Sequence, residues 1–422
     1  MSQTRPDPTP ADDRAALSVL STIDPVLRES AVFGLVVGAP GAVVVRHDIR
    51  ATEGELHRVV VDAAGVVEDE VVPLEHACLS CAVREDAVPT LRRLADDGRW
   101  DHVVLALPVA AESLPVTRAL AGAAAPGGEL ERLRLATVLA VVDVETVEHD
   151  LLADDLVAER GIALTDDDER AVGEVVAAQL EHADLVVTSG SRATAPTGSG
   201  LVDRLRGEDS HRLDGLHRVV VGDLAARSHD AAAAERRAHP LGAPHTGSTA
   251  VTRGRSGPPR RAASAGRAGH GVRAAHTARD PRDRSWTLEL RSARPFDPER
   301  LLRRIEDLGG GYVRSRGVFH VANRPDSLCA WEGAGGQLSI GGLGAWADVA
   351  SSDGASLAPH TRIVVVGARP ERPGRGEDAR PRLLDAFTDA LATQDELSDG
   401  GLRWLGRDDD LAPWLGARSD LS

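Results

Sequence analysis

Lysine is missing from this chain: all 49 basic residues are arginine. No side-chain amine is available for Schiff-base catalysis, and no conventional P-loop can form, because that loop needs a lysine to reach the β- and γ-phosphates. Asparagine is nearly absent, with Asn323 alone. Aromatic residues make up 3% of the sequence, so the core has to be built mainly from Val, Leu and Ala. The 422 residues include three cysteines, which form no even framework and point to a reducing compartment. No run of about 18 apolar residues occurs, and residues 2–13 are polar and proline-rich, without the apolar stretch of a secretion signal. These absences predict a cytoplasmic protein with no membrane segment. The net charge of -16 argues against the whole molecule being a nucleic-acid binder.

Two of the three cysteines stand together, in Cys78-Leu79-Ser80-Cys81. Thiols at this spacing can grip one soft metal ion or close into a disulfide. The pair follows apolar residues at 59–61 and 71–72, and residues 83–94 after it read as a helix. That predicts a strand-to-helix turn, where backbone amides favour thiolate over thiol. Zinc or another soft metal is the working expectation; a redox dithiol and inert packing stay open. Two thiolates leave zinc short of its usual four ligands. His76, two residues before Cys78 and so on the same face of an extended strand, is the third candidate, its alternative being a surface histidine before a turn. Glu75, Glu85 and Asp86 are weaker candidates, and Glu85-Asp86 are expected to serve the first helical turn. Cys329, on an apolar strand beside Trp331, is expected in the core.

Along the chain, short β-branched runs alternate with helical stretches from about residue 15 to 224, the pattern of a parallel α/β sheet. Strands are predicted at 17–20, 43–45, 103–107, 138–142, 185–187 and 219–221. A helix is predicted from an N-cap at Thr165, with Asp166 to Asp168 in its first turn and Val172, Val175, Val176 and Leu180 on its apolar face. Residues 225–284 change character. Gly, Pro, Ser, Ala and Arg dominate there, with 12 arginines against 4 acids between Arg227 and Arg284. Such a composition cannot bury enough apolar surface to order itself, so a basic disordered linker is expected, either a tether or an arm that touches rRNA or another anion. Residues 1–14 are expected to be disordered as well. Order resumes at Trp286, with a strand, a helix opened by Asp297-Pro298, strands near 312–322, 337–340 and 363–366, and a helix near 381–392. Together these make a compact α+β unit over 285–420.

The residues of that unit carry a resemblance. Arg294-Pro295-Phe296-Asp297-Pro298-Glu299, the segment 313–326 and Trp331-Glu332-Gly333-Ala334-Gly335-Gly336 are similar to the C-terminal domain of the CobW family of metal-handling P-loop GTPases. Upstream, Cys78-Leu79-Ser80-Cys81-Ala82-Val83-Arg84-Glu85-Asp86 resembles the family's Cys-x-Cys-Cys metal motif and the Val-Arg-x-Asp after it. The segments 139–144 and 179–184 also resemble family segments. The resemblance implies a P-loop-NTPase-like parallel-sheet domain over 15–224 and a smaller α+β C-terminal domain.

The departures from the family are specific. Where Gly-x-x-x-x-Gly-Lys-[Ser/Thr] should follow the first strand, the sequence reads Leu20-Ser21-Thr22-Ile23-Asp24-Pro25, with neither glycine nor lysine to wrap a phosphate. Leu105-Ala106-Leu107-Pro108 stands where the family has a carboxylate and Thr/Ser-Gly, although Pro115-Val116 still fits. Thr188-Ser189-Gly190-Ser191 replaces the guanine-reading Asn-Lys-x-Asp. The expectation is a family fold with a degenerate nucleotide site: no nucleotide bound, no catalytic residues and no GTPase. Ser80 stands where the family's middle cysteine would be. With the degenerate P-loop, this resembles an actinobacterial branch associated with zinc limitation and ribosome hibernation, consistent with an arginine-only composition typical of high-GC bacterial genomes. That resemblance implies a zinc-responsive adaptor recruiting a hibernation factor to the ribosome, with 225–284 near rRNA. A CobW-type chaperone that binds GTP, or a Cys-x-x-Cys redox protein, are the alternatives.

Overall fold

The structure is a computed structural model that describes residues 14–76, 78–242, 271–275, 280–349, 357–371, 377–398, 402–404 and 409–416. Nearly all of the N-terminus expected to be disordered lies outside the described residues, as do 243–270 and 276–279 of the expected linker. In chain order, β1 (Ala15–Ser21) leads into α1 (Pro25–Val37), β2 (Ala42–Arg50), β3 (Glu55–Asp62) and β4 (Gly65–Pro73). A short α2 (Leu79–Cys81) runs through a π-helical segment (Ala82–Ala87) into α3 (Val88–Asp97). Then come β5 (His102–Ala106), α4 (Ser113–Ala123), β6 (Leu133–Asp143), α5 (Val147–Leu152), α6 (Val172–His182), β7 (Leu185–Ser189), α7 (Pro196–Leu205), β8 (His211–Asp214), α8 (Val221–Ala225) and α9 (Ala231–Ala238). The remainder holds β9 (Gly271–Ala275), β10 (Ser285–Ser292), α10 (Pro298–Gly309), β11 (Val313–Val321), β12 (Arg324–Ala334), β13 (Gln337–Ala345), β14 (Thr361–Ala368) and α11 (Ala379–Ala390).

The chain divides into two compact units, the first made of Met1–Val141, Leu164–Asp166 and Gly215–Ala231, the second of Val142–Ala163, Asp167–Asp214 and Ala232–Ser422. In the first, strands lie in the order β4-β3-β2-β5-β1-β6. β2, β5, β1 and β6 are parallel, while β3 and β4 extend the sheet as an antiparallel arm. The parallel strands are covered on both faces: every residue of β5 is buried, as are Ala42, Val43, Val44 and Val45 of β2. This is why they read as continuous apolar runs without alternation. β4 is the opposite case, an exposed edge carrying Glu68, Asp69 and Glu70, charges that discourage a further strand from pairing there. α3 ends at Gly98, whose φ of 70° is the left-handed conformation that lets the chain turn back to β5.

In the second unit β7 pairs parallel with β8, and six antiparallel strands lie in the order β13-β12-β11-β14-β10-β9. α10 and α11 close the core of that sheet with Leu301, Leu308, Leu383 and Phe387. The scarce aromatics concentrate here. Phe296 meets Phe387 edge-on at 5.6 Å and Phe319 at 6.0 Å, and Phe319 meets Trp331 at 5.7 Å. Cys329 is fully buried in the same core, which pushes its thiol pKa up to about 12, so it packs as an inert side chain. Glu181 of α6 lies buried between two arginines of β11, Arg314 at 2.9 Å and Arg316 at 2.5 Å. A charge this deep is tolerable only when paired.

Several sequence expectations are corrected. The helix expected from Thr165 starts at Val172, because Glu174 reaches back to the Ala171 N–H at 2.7 Å, while Asp168 is engaged by Arg170 at 2.8 Å in the preceding loop. Residues 219–221 form no strand. A 3₁₀ turn at Leu216–Arg218 precedes them and Val221 opens α8, burying itself and Leu224; three β-branched residues are too short a run to decide between strand and helix. Inside the segment expected as linker, the alanine-rich stretch 231–238 forms α9, as alanine's helix propensity favours. Its Arg237 is taken up by Asp184 at 2.8 Å and Asp209 at 2.6 Å. Residues 271–275 pair with β10 as β9.

Candidate metal centre

Two strand-to-helix turns of the first unit hold the residues on which function turns. The first joins β1 to α1, the place of a phosphate loop. β1 ends at Ser21 and α1 begins at Pro25, so the connection is too short to wrap a phosphate. Asp24 is the N-cap: its Oδ1 accepts the N–H of Val26 at 2.7 Å and of Leu27 at 3.0 Å. The helix-start amides that would meet an anionic ligand are thus taken by the chain's own carboxylate, whose charge also repels phosphate. Arg28, buried one turn on, is paired with Asp48 at 2.6 Å and donates to the carbonyls of His47 and Leu107. In the second unit, Thr188 at the end of β7 donates its hydroxyl to Asp214 of β8 at 2.8 Å.

The second turn carries the thiols. Cys78 is the N-cap of α2, its Sγ accepting the Cys81 N–H at 3.4 Å. Cys81 is buried, Cys78 half-buried, and neither is in a disulfide. Arg84 Nη2 donates to Cys81 Sγ at 3.5 Å and to Glu85 Oε1 at 2.7 Å. Glu85 Oε2 accepts the Glu75 N–H at 3.0 Å, fastening the incoming loop to the helix. Burial pushes the Cys81 thiol up, Cys78 and Glu85 push the same way, and Arg84 only partly offsets them. Glu85 is drawn below the usual carboxylate range first by the Glu75 N–H, then by Arg84, with Cys81 also contributing. A pocket of about 230 Å³ lies beside the turn, lined by Leu79, Ser80, Val83, Val116 and Ala119 among others.

Asp86 anchors the turn to the sheet. It is 3% exposed and sits between two buried bases: His47 Nε2 of β2 lies 2.9 Å from its Oδ1, and Arg58 of β3 donates to its Oδ2. Burial works to raise the Asp86 carboxyl, but His47 and Arg58 outweigh it and hold the group below its ordinary range. Arg58 continues to Glu70 at 2.6 Å and Glu68 at 3.4 Å on β4, and Glu68 binds Arg93 of α3 at 2.6 Å. This chain of charges ties the π-helical segment and α3 to β2, β3 and β4.

The expected thiol pair is therefore brought together on a strand-to-helix turn. The expected placement of His76 is corrected: β4 ends at Pro73, and the Cys78 N–H bonds the His76 carbonyl at 2.8 Å, so the backbone turns there and His76 lies exposed. Among the described residues no three His, Cys, Asp or Glu side chains stand grouped ready for a metal. Glu85 does stand in the first turn of the helical segment, where it also ties down the incoming loop, whereas Asp86 is corrected: it is buried against His47 and Arg58. Three residues escaped sequence reasoning. Asp24 was legible, since Asp-Pro directly after a strand is a helix-start signature. Arg84 and His47 gave no local sign, because their partners come from the fold.

The parallel-sheet unit with a phosphate-loop position, followed by an antiparallel C-terminal sheet, defines a P-loop GTPase-like protein with a smaller second domain. Residues 45–191 match the family described as CobW/HypB/UreG, nucleotide-binding domain, and residues 285–388 match the cobalamin synthesis protein cobW C-terminal domain. The chain carries both of these domains. It is 26% identical over 402 residues to "Zinc chaperone Rv0106" of Mycobacterium tuberculosis (strain ATCC 25618 / H37Rv), covering 89% of this chain and 85% of that protein. It is 24% identical over 303 residues to "Zinc-regulated GTPase metalloprotein activator 1" of Dictyostelium discoideum, covering 69% of this chain and 56% of that protein. Among the described residues no helix is long and apolar enough to cross a membrane.

Proposed function

We propose that this chain handles zinc as cargo at the Cys78–Cys81 turn and does so without binding or hydrolysing GTP. The observation that carries the zinc half is the adjacent pair of sulfurs at one helix start, in a chain whose relatives bear zinc-handling names. Two soft thiolates suit zinc, and a set short of four ligands leaves positions open for a donor or acceptor protein, as transfer requires. The other half rests on Asp24 closing the α1 helix start, together with the missing lysine. The partner implied by the resemblance, a ribosome-directed hibernation factor engaged according to zinc supply, is part of the same proposal.

Reduced protein is expected to bind about one zinc per chain in a chelator-competition titration. Cys78→Ser and Cys81→Ser should each abolish binding, because thiolates are the strongest ligands present. Unchanged stoichiometry in the double variant places the site elsewhere. Calorimetry with GTP and magnesium should show no saturable heat; micromolar, magnesium-dependent binding would end the claim that the GTPase is lost. Ribosome co-sedimentation that ignores zinc removes the adaptor role.

A further inference from the structure

The thiol turn holds a cation of its own. One nitrogen, Arg84 Nη2, touches both Cys81 Sγ at 3.5 Å and Glu85 Oε1 at 2.7 Å. Cys81 and Glu85 are four residues apart, Glu85 within the π-helical segment that directly follows Cys81. The guanidinium therefore bridges a sulfur and a carboxylate of this turn. Cys78 Sγ lies on the same turn, accepting the Cys81 N–H at 3.4 Å. Arg84 has an alternative partner, since the same nitrogen lies 3.5 Å from Glu75 Oε2, and its side chain is 65% exposed and free to swing outward. Glu85, in contrast, is held in place by the Glu75 N–H.

Building on the zinc role proposed above, we propose that Glu85 is the third protein ligand, and that Arg84 is a placeholder cation which the incoming metal displaces. On binding, Cys78 and Cys81 each give their proton to solvent as a sulfur–zinc bond forms. The Arg84–Glu85 pair breaks, Glu85 Oε1 turns to the metal, and the guanidinium moves to Glu75. No electron is transferred. The empty site is thus kept neutralised: the two thiols keep their protons and the Glu85 carboxylate has the Arg84 cation as its counterion. His76, exposed before the turn, is not part of this set.

The arrangement makes opposite demands on neighbouring residues. Arg84→Ala removes the competitor and is expected to tighten zinc binding roughly tenfold, whereas Glu85→Gln removes a ligand and is expected to weaken it roughly tenfold or more, the scale of an outer or weak ligand. Arg92→Ala, which deletes an equal charge two turns along, is the control and should change nothing. The measurement is a zinc titration of the full chain against a chromophoric chelator, with cobalt(II) spectra of each variant and circular dichroism to show that each is folded. Glu85→Gln should shift the cobalt d–d bands while leaving the sulfur charge-transfer band intact. If Glu85→Gln binds as wild type, or Arg84→Ala binds no tighter, or Arg92→Ala tightens as much as Arg84→Ala, the proposal is overturned. None of those results touches the cysteines; retention of zinc by Cys81→Ser would instead strike the zinc role itself.

Discussion

The β1–α1 turn and the β4–α2 turn share one plan in the first unit: a strand ends and a side chain caps the next helix. They differ in the cap. Asp24 meets the first amides of a 13-residue helix with a full carboxylate and closes that end to anions. Cys78 meets a single amide at 3.4 Å with a polarisable sulfur, leaving that sulfur able to take a cation. The same backbone device thus becomes a seal in one place and a ligand in the other, by choice of one atom. A helix start is anion-loving only while nothing anionic is already built into it.

The strongest way to break this comparison is through the anchoring of the thiol turn. Asp86→Ala leaves His47 and Arg58 buried without their shared carboxylate, and breaking a buried pair in this way costs about 3–5 kcal/mol. Chemical denaturation should show a loss of that order, with zinc affinity falling alongside. An unchanged midpoint would mean that the network is incidental and that the turn stands on apolar packing alone.

Acid should act next, and on the strand pair behind the phosphate turn. His102 of β5 is buried against Ser18 of β1, with Nε2 and Oγ 2.8 Å apart; burial first, then the charge of Arg134, hold its pKa down at about 4 against an ordinary 6.5. The unfolded chain therefore takes up a proton near pH 6.5 and the folded one only near pH 4. Stability from this group is complete above pH 6.5 and is lost as pH falls through that window, on the order of 3 kcal/mol in full. Denaturation at pH 7 and pH 5 should show the slope, and a His102→Gln chain should flatten it. An equal slope in both chains would assign the acid sensitivity to other groups.

The smallest effect sharpens the seal. Asp24→Ala should cost about 1 kcal/mol, the usual worth of an N-cap. It should still leave GTP unbound, because opening the helix start supplies neither a lysine nor a glycine loop. Nucleotide binding by Asp24→Ala would show that the cap alone had been the barrier.

Much of this fold was legible because periodicity reports burial. The Val and Leu runs of β1, β2, β5 and β7 are strands covered on both faces, and Asp297-Pro298 opens α10 with Asp297 Oδ1 accepting the Arg300 N–H at 3.0 Å. Local signals failed where two structures compete for a short segment. Val219-Val220-Val221 satisfies strand propensity, yet a turn before it and burial of Val221 and Leu224 decide for a helix. Composition alone also misjudged part of the expected linker: alanine propensity makes α9 there, and Arg237 is then taken up by Asp184 and Asp209 from distant positions. At the candidate site the cysteines were visible as a motif. What surrounds them was not, because His47 and Arg58 come from strands up to 39 residues upstream of Asp86.

The six π-helical residues directly after Cys81 set a phase. A π turn holds one residue more than an α turn, so everything before it is rotated relative to everything after. Asp86 can face inward to the sheet while Arg84 and Glu85 remain beside the sulfurs, a division that an unbroken α-helix of the same sequence would redraw. The length of this segment therefore works as an angular setting: adding or removing one residue would not lengthen or shorten the site so much as turn the thiols away from their carboxylate, with every ligand still present in the sequence.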